Sequence, residues 1–210
     1  MSETQGRSKA ATIPQSTTKV HRSADLEALF RATFFHDYAT VLVGGALEPV
    51  YLPGSPHRIC YTQDYFRSAL HEIAHWCVAG DARRQLEDYG YWYAPDGRNA
   101  EQQTQFASVE VLPQAYEALF CAACGHDFRV SLDNLKGDGG DERGFAIRVY
   151  ERAEALLAEG LSERVQRWCN ALGQHYQSGP FPCLAVFIIP FISRFKAEAR
   201  GRCRRSAASF

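Results

Sequence analysis

Asp64-Tyr65-Phe66-Arg67-Ser68-Ala69-Leu70-His71-Glu72-Ile73-Ala74-His75-Trp76-Cys77-Val78-Ala79-Gly80 is the stretch on which the reading of this protein turns. Phe66, Leu70, Ile73 and Cys77 recur at the spacing that sets them on one stripe of an α-helix, and Gly80 stands where such a helix would end. His71 and His75 lie off that stripe. They are one turn apart on a second face, so both imidazoles can reach one metal ion, with Glu72 beside them. The plainer alternative is a pair of part-exposed histidines on an amphipathic helix, which leaves unexplained the aromatic run that follows directly.

Two histidines leave a site incomplete. A reactive metal takes a third protein ligand and keeps positions open for water, oxygen or substrate. Glu110 is the first candidate, because Val109 and Val111 on either side suggest a buried setting, where a carboxylate is costly without a cation or hydrogen-bond donors. Glu101, among Gln102, Gln103 and Gln105, and Asp88 are weaker candidates, and Asp96 fits the Pro95-Asp96-Gly97 turn better. Glu72 could orient a metal-bound water, take its proton, or support a ligand from behind. Tyr89, Tyr91, Trp92 and Tyr93, with Asp88 or Asp96 nearby, could line a pocket for a cationic substrate, or belong to ordinary core.

Working outward, Ser23 is expected to cap a helix from Ala24 to about Phe35 that carries Leu26, Leu29, Phe30 and Phe34. Short strands are expected at Thr40 to Val43, Val50 to Leu52 and Arg58 to Tyr61, separated by Gly44-Gly45 and Pro53-Gly54. Asp81 to Tyr89 reads as helical in part. A helix over Asn99 to Val111 is followed by a second that Pro113 begins or kinks and Gly125 ends. Phe128 to Leu132 alternates like a strand, and Lys136 to Asp141 is a Gly-Asp loop without the features of a phosphate loop. Two amphipathic helices close the ordered part, one with Phe145, Val149, Ala153 and Leu156 stopping at Gly160, the other starting at Ser162 with Val165, Trp168, Cys169, Leu172 and Tyr176. The fold class expected is α+β, a mainly helical single domain with a small sheet, over residues 23–178.

Residues 1–22 read as a disordered N-terminal extension, and residues 179–210 as an apolar, then basic, C-terminal tail ending in Arg200, Arg202, Arg204 and Arg205. The apolar part is shorter than the roughly 20 residues of a spanning helix, and Pro190 interrupts it. Lys plus Arg number 23 against 24 Asp plus Glu, so no overall field favours nucleic acid or anionic lipid. Seven cysteines, an odd number scattered among apolar residues, fit reduced thiols, and with no signal-peptide core the expected location is the cytoplasm. Cys121 and Cys124 have zinc-knuckle spacing but no second pair, which makes helix packing the better reading.

Several landmarks occur in the order found in a known family. They are His71-Glu72-Ile73-Ala74-His75-Trp76-Cys77, Ala79-Gly80, Gly90-Tyr91-Trp92-Tyr93, Pro95-Asp96-Gly97-Arg98, Val109-Glu110-Val111 and Pro113-Gln114-Ala115. From about Leu26 to Tyr176 the sequence resembles the bacterial elongation factor P hydroxylases. The resemblance implies a fold similar to metalloprotease-like (zincin-like) domains, a non-haem iron site with His71, His75 and Glu110 as ligands, and molecular oxygen as cosubstrate. It implies a protein substrate, the lysine of elongation factor P already extended by a β-lysyl group, and so a pocket for a long cationic group near Tyr91, Trp92, Tyr93, Asp96 and Arg98. The pattern of the common 2-oxoglutarate oxygenases is absent, so that cosubstrate is not assigned and the reductant stays open. The spacing of the motif alone would favour a zinc metallopeptidase with Glu72 as general base, and a structural metal would need a fourth ligand such as His126 or a cysteine.

Overall fold

The structure is a computed structural model that describes residues 20–90, 99–131 and 142–176. Helix α1 (Ser23–Tyr38) leads into strands β1 (Thr40–Ala46), β2 (Val50–Leu52) and β3 (His57–Thr62), then helix α2 (Phe66–Val78) and two single 3-10 turns, Arg83–Gln85 and Glu87–Gly90. Helices α3 (Ala100–Cys124), α4 (Glu142–Glu159) and α5 (Glu163–Tyr176) complete the described residues. Among the described residues, five helices with one three-stranded sheet agree with the expected mainly helical α+β class.

The sheet has the order β1-β3-β2, with β1 parallel and β2 antiparallel to the central β3. Gly44 and Gly45, expected to separate strands, instead lie inside β1, where the register shifts between Val43 and Ala46. A Cβ on Gly44 would sit 2.6 Å from the Tyr61 hydroxyl and 2.7 Å from the Gln63 carbonyl oxygen, and Gly45 has φ +89°. The glycines thus let the strand bulge and continue rather than stop.

Other boundaries move for local reasons. Ser23 is not a cap but the first, buried residue of α1, which runs past Phe35 to a left-handed Ala39 at φ 44°. The two helices expected around Pro113 are a single helix of 25 residues, opened by an Asn99–Gln102 capping box and closed by left-handed Gly125. Pro113 deprives only the Val109 carbonyl of its helical donor, and Val109 lies on an exposed side of α3. The expected strand at Phe128 to Leu132 has no ladder over its described part. The Gln114 side-chain amide takes that role, donating to the Ser131 carbonyl at 2.7 Å and accepting from the Ser131 amide at 3.0 Å. Leu132 and the Gly-Asp loop at 136–141 lie outside the described residues.

What positions α2 is the packing of its apolar side and the hydrogen bonding of its C-terminal end. Trp76 is fully buried, with Phe30, Phe34 and Tyr38 of α1 at ring distances of 5.1, 5.0 and 5.1 Å, and Trp168 of α5 packs on the same two phenylalanines. At its C-terminal end Arg164 of α5 donates to the Trp76 carbonyl at 2.7 Å and the Ala79 carbonyl at 2.8 Å, and Arg84 donates to the latter at 2.7 Å. Two guanidinium groups thereby satisfy carbonyls that a helix end leaves without partners, at the negative end of its dipole. Cys121 and Cys124 are buried within α3, as packing residues are. No helix among the described residues is long and apolar enough to cross a membrane.

Replacing Arg164 by Met removes two charge-assisted hydrogen bonds while keeping much of the stem. The expected outcome is a loss of about 1–2 kcal/mol in unfolding free energy, since Arg84 still serves one carbonyl, read as a lower urea midpoint with an unchanged slope.

Candidate metal centre

Arg67, His71 and His75 follow one another at every fourth position of α2 and so share one face of the helix. That face meets α3, where Glu110 and Glu117, seven residues apart, also lie on a common face. Glu110 pairs with His71 and His75, while Glu117 pairs with Arg67 and His71, so the two helices run antiparallel at this contact.

Three side chains converge. His71 Nε2 and His75 Nε2 are 3.0 Å apart, His75 Nε2 lies 3.2 Å from Glu110 Oε1, and His71 Nε2 lies 3.5 Å from Glu110 Oε2. An ion held at about 2.1 Å from each ligand places neighbouring donors about 3.0 Å apart at right angles and about 3.4 Å apart in a tetrahedron, so the triad fits a first-row divalent ion. Glu110 is 3% exposed, whereas both histidines are half-buried, which leaves one side of the triad accessible. Among the described residues no fourth ligating group joins the cluster. Two imidazoles and one carboxylate with open positions suit non-haem iron chemistry and, by the same donors, a catalytic zinc.

Of the three carboxylates considered for the third position, Glu110 is the one brought to the histidines. Glu101 is exposed, nine residues earlier and on the opposite face of α3, and the Asp88 carboxylate accepts the Tyr51 amide at 2.8 Å. His126 stacks on Phe66 at 5.1 Å, away from the cluster. Glu72 is half-buried beside the ligands and has no hydrogen bond among the described residues. Tyr91, Trp92, Tyr93, Asp96 and Arg98 lie outside the described residues.

Sequence reasoning missed Glu117, Arg67 and Gln114. Glu117 is 3% exposed. One oxygen, Oε1, accepts from Arg67 Nε at 3.0 Å and Nη2 at 2.7 Å, and the other lies 3.0 Å from His71 Nδ1. Gln114 Nε2 reaches Glu110 Oε2 at 3.3 Å. The available signal was periodicity: Glu117 repeats the position of Glu110 two turns on, and Arg67 precedes His71 by one turn.

The charges are strongly interdependent. Burial pushes the His71 imidazole down, but its contact with Glu117 and the charges of Glu110, Glu117 and Glu72 outweigh this and raise it to about 10. Burial pushes Glu110 up, but the charges of His75 and His71 and the hydrogen bonds from His75 and Gln114 hold it at about 2. Glu72 is raised, first by burial and then by Glu110 and Asp88, against the lowering effect of the two histidines. Without a metal, these contacts favour a protonated His71 and an ionised Glu110, so a metal ion competes with a proton for the site.

Residues 29–184 match the elongation factor P hydroxylase family. The chain is also 42% identical over 176 residues to the elongation factor P lysine hydroxylase of Haemophilus influenzae, an alignment covering 82% of this chain and 99% of the relative.

The shifts at His71 and Glu110 set a pH profile for the metal-free protein. His71, raised from an ordinary 6.5 to about 10, contributes stability that is complete below pH 6.5 and is lost as pH rises through 10. Glu110, lowered from 4.5 to about 2, contributes stability that is complete above pH 4.5 and is lost as pH falls through 2. Thermal melts in excess chelator are expected to be highest between these limits and to fall on both sides, with the alkaline fall reduced in His71→Gln.

Proposed function

The chain belongs to the elongation factor P hydroxylase family, and from that premise we propose that it hydroxylates a lysine side chain of elongation factor P, using His71, His75 and Glu110 to hold a ferrous ion. The observation that carries this reading is the family match, which spans both helices of the triad. When bound, the metal supplies the activation of molecular oxygen from which one atom enters a C–H bond of the modified lysine, the other leaving as water with two electrons and two protons from an external reductant.

The protein's own residues supply the rest. The half-buried histidines leave open positions on the accessible side of the triad, and the buried Glu110 supplies one negative charge to the ion. Glu72, the carboxyl raised by burial beside the ligands, holds or transfers a proton at the edge of the site. The substrate is the lysine extended by a β-lysyl group, received by Tyr91, Trp92, Tyr93, Asp96 and Arg98, where aromatic faces and a carboxylate suit a long cationic group. As part of the same proposal, a histidine helix that takes its third ligand from the following helix supports reading the domain as metalloprotease-like, or zincin-like. The peptidase alternative, with Glu72 activating water on zinc, has no support from the family or the relative.

Intact mass spectrometry of β-lysylated elongation factor P, incubated aerobically with the iron-loaded protein and a reductant, tests this reading. Wild type is expected to add one oxygen atom, while His75→Ala and Glu110→Ala lose metal and fall by more than about a hundredfold in rate, beyond the usual loss for a supporting residue. A folded, metal-bound wild type that adds no oxygen under several reductants but cleaves peptides would overturn it.

A further inference from the structure

Glu117 stands out among the buried groups because it takes no part in the triad and yet divides its two oxygens between two partners on α2. Oε1 receives two donors from the Arg67 guanidinium, and Oε2 faces His71 Nδ1 at 3.0 Å. A neutral imidazole can offer its Nε2 lone pair to a metal only when its proton sits on Nδ1. An ionised carboxylate at Nδ1 accepts and cannot donate, so it favours that tautomer and fixes the ring plane. Burying such a carboxylate is costly alone, and the paired Arg67 offsets the cost.

From this geometry we infer that Glu117, oriented by Arg67, is a positioning residue that holds His71 as an Nδ1–H, Nε2-donating ligand. The inference rests on the reading of His71, His75 and Glu110 as the metal ligands. The bracket extends further. Arg67 Nη2 also donates to the Arg129 carbonyl at 2.5 Å, and Gln114, which contacts Glu110, clasps the Ser131 backbone in both directions. Two of the three ligands are therefore supported by residues that grip the same extended stretch, so the ligand spacing is set by a frame outside the ligands themselves.

Two measurements test the role of Glu117. The first is cobalt(II) binding by wild type, His75→Ala, Glu117→Gln and the exposed control Glu101→Gln, read as dissociation constant and visible absorption spectrum. Glu117→Gln is expected to weaken cobalt binding about 10–100-fold and alter the spectrum, with Glu101→Gln unchanged. The second needs no variant: in zinc-loaded wild type, nitrogen-15 imidazole spectra are expected to show His71 with its proton on Nδ1 and protected from exchange. A freely exchanging Nδ1 proton, or a folded Glu117→Gln with cobalt affinity within twofold of wild type, would overturn the role of Glu117 while leaving the ligands intact. Wild type that binds no cobalt, or His75→Ala that binds it as tightly, would overturn the ligand reading itself.

Discussion

Everything at the centre of this protein depends on two carboxylates buried on one helix against an arginine and two histidines of another. Glu110 and Glu117 are each 3% exposed on α3, and Arg67, His71 and His75 meet them from α2. An uncompensated buried carboxylate is costly, so the pairing constrains how the helices can lie against each other. Sliding one helix by a turn, about 5.4 Å, would leave one carboxylate without its partner. The register of α2 on α3 and the convergence of the three ligand side chains are thus the same fact seen from two sides.

The opposite side of α2 is held by packing rather than charge. Trp76 sits among the aromatic rings of α1, and the arginines Arg84 and Arg164 close the C-terminal carbonyls of the helix. The histidines therefore project from a helix whose C-terminal end and apolar face are tied down, and their own face, packed on α3, keeps them partly exposed at one side. Rigid support behind an accessible donor set is what a reactive metal site requires, because small errors in ligand position are costly to chemistry.

Local patterns and long-range pairing divide the rest. The helical stripes of α2, α4 and α5 and the three short strands follow from periodicity, and the structure has them where the residues call for them. Readings that treated a residue type as a boundary were less secure. Gly44-Gly45 continues β1 through a bulge, Gly44 because the Tyr61 hydroxyl and the Gln63 carbonyl leave no room for a side chain and Gly45 because its φ is positive, and Pro113 sits within α3 because only one carbonyl on an exposed side loses its donor. The Phe128 stretch has a strand's pattern, yet its neighbour is the amide of Gln114 rather than another strand. Its alternation records one buried side, not a ladder.

His71 and His75 were legible from sequence alone because an α-helix returns to the same face every 3.6 residues, a local geometry that fixes their proximity in any fold that keeps the helix. Glu110 was picked out by its apolar flanks, yet Val109 is exposed and Val111 only half-buried; what buries Glu110 is its contact with α2. Which carboxylate would meet the histidines, among Glu110, Glu101 and Asp88, was a question about residues up to 39 positions apart, and only the docking of α3 on α2 decided it. That docking also brought Arg67, Glu117 and Gln114 behind the ligands. Sequence spacing specifies what can share a face, whereas the pairing of faces depends on desolvation, charge and packing summed over the whole core, and that sum exists only in the folded protein.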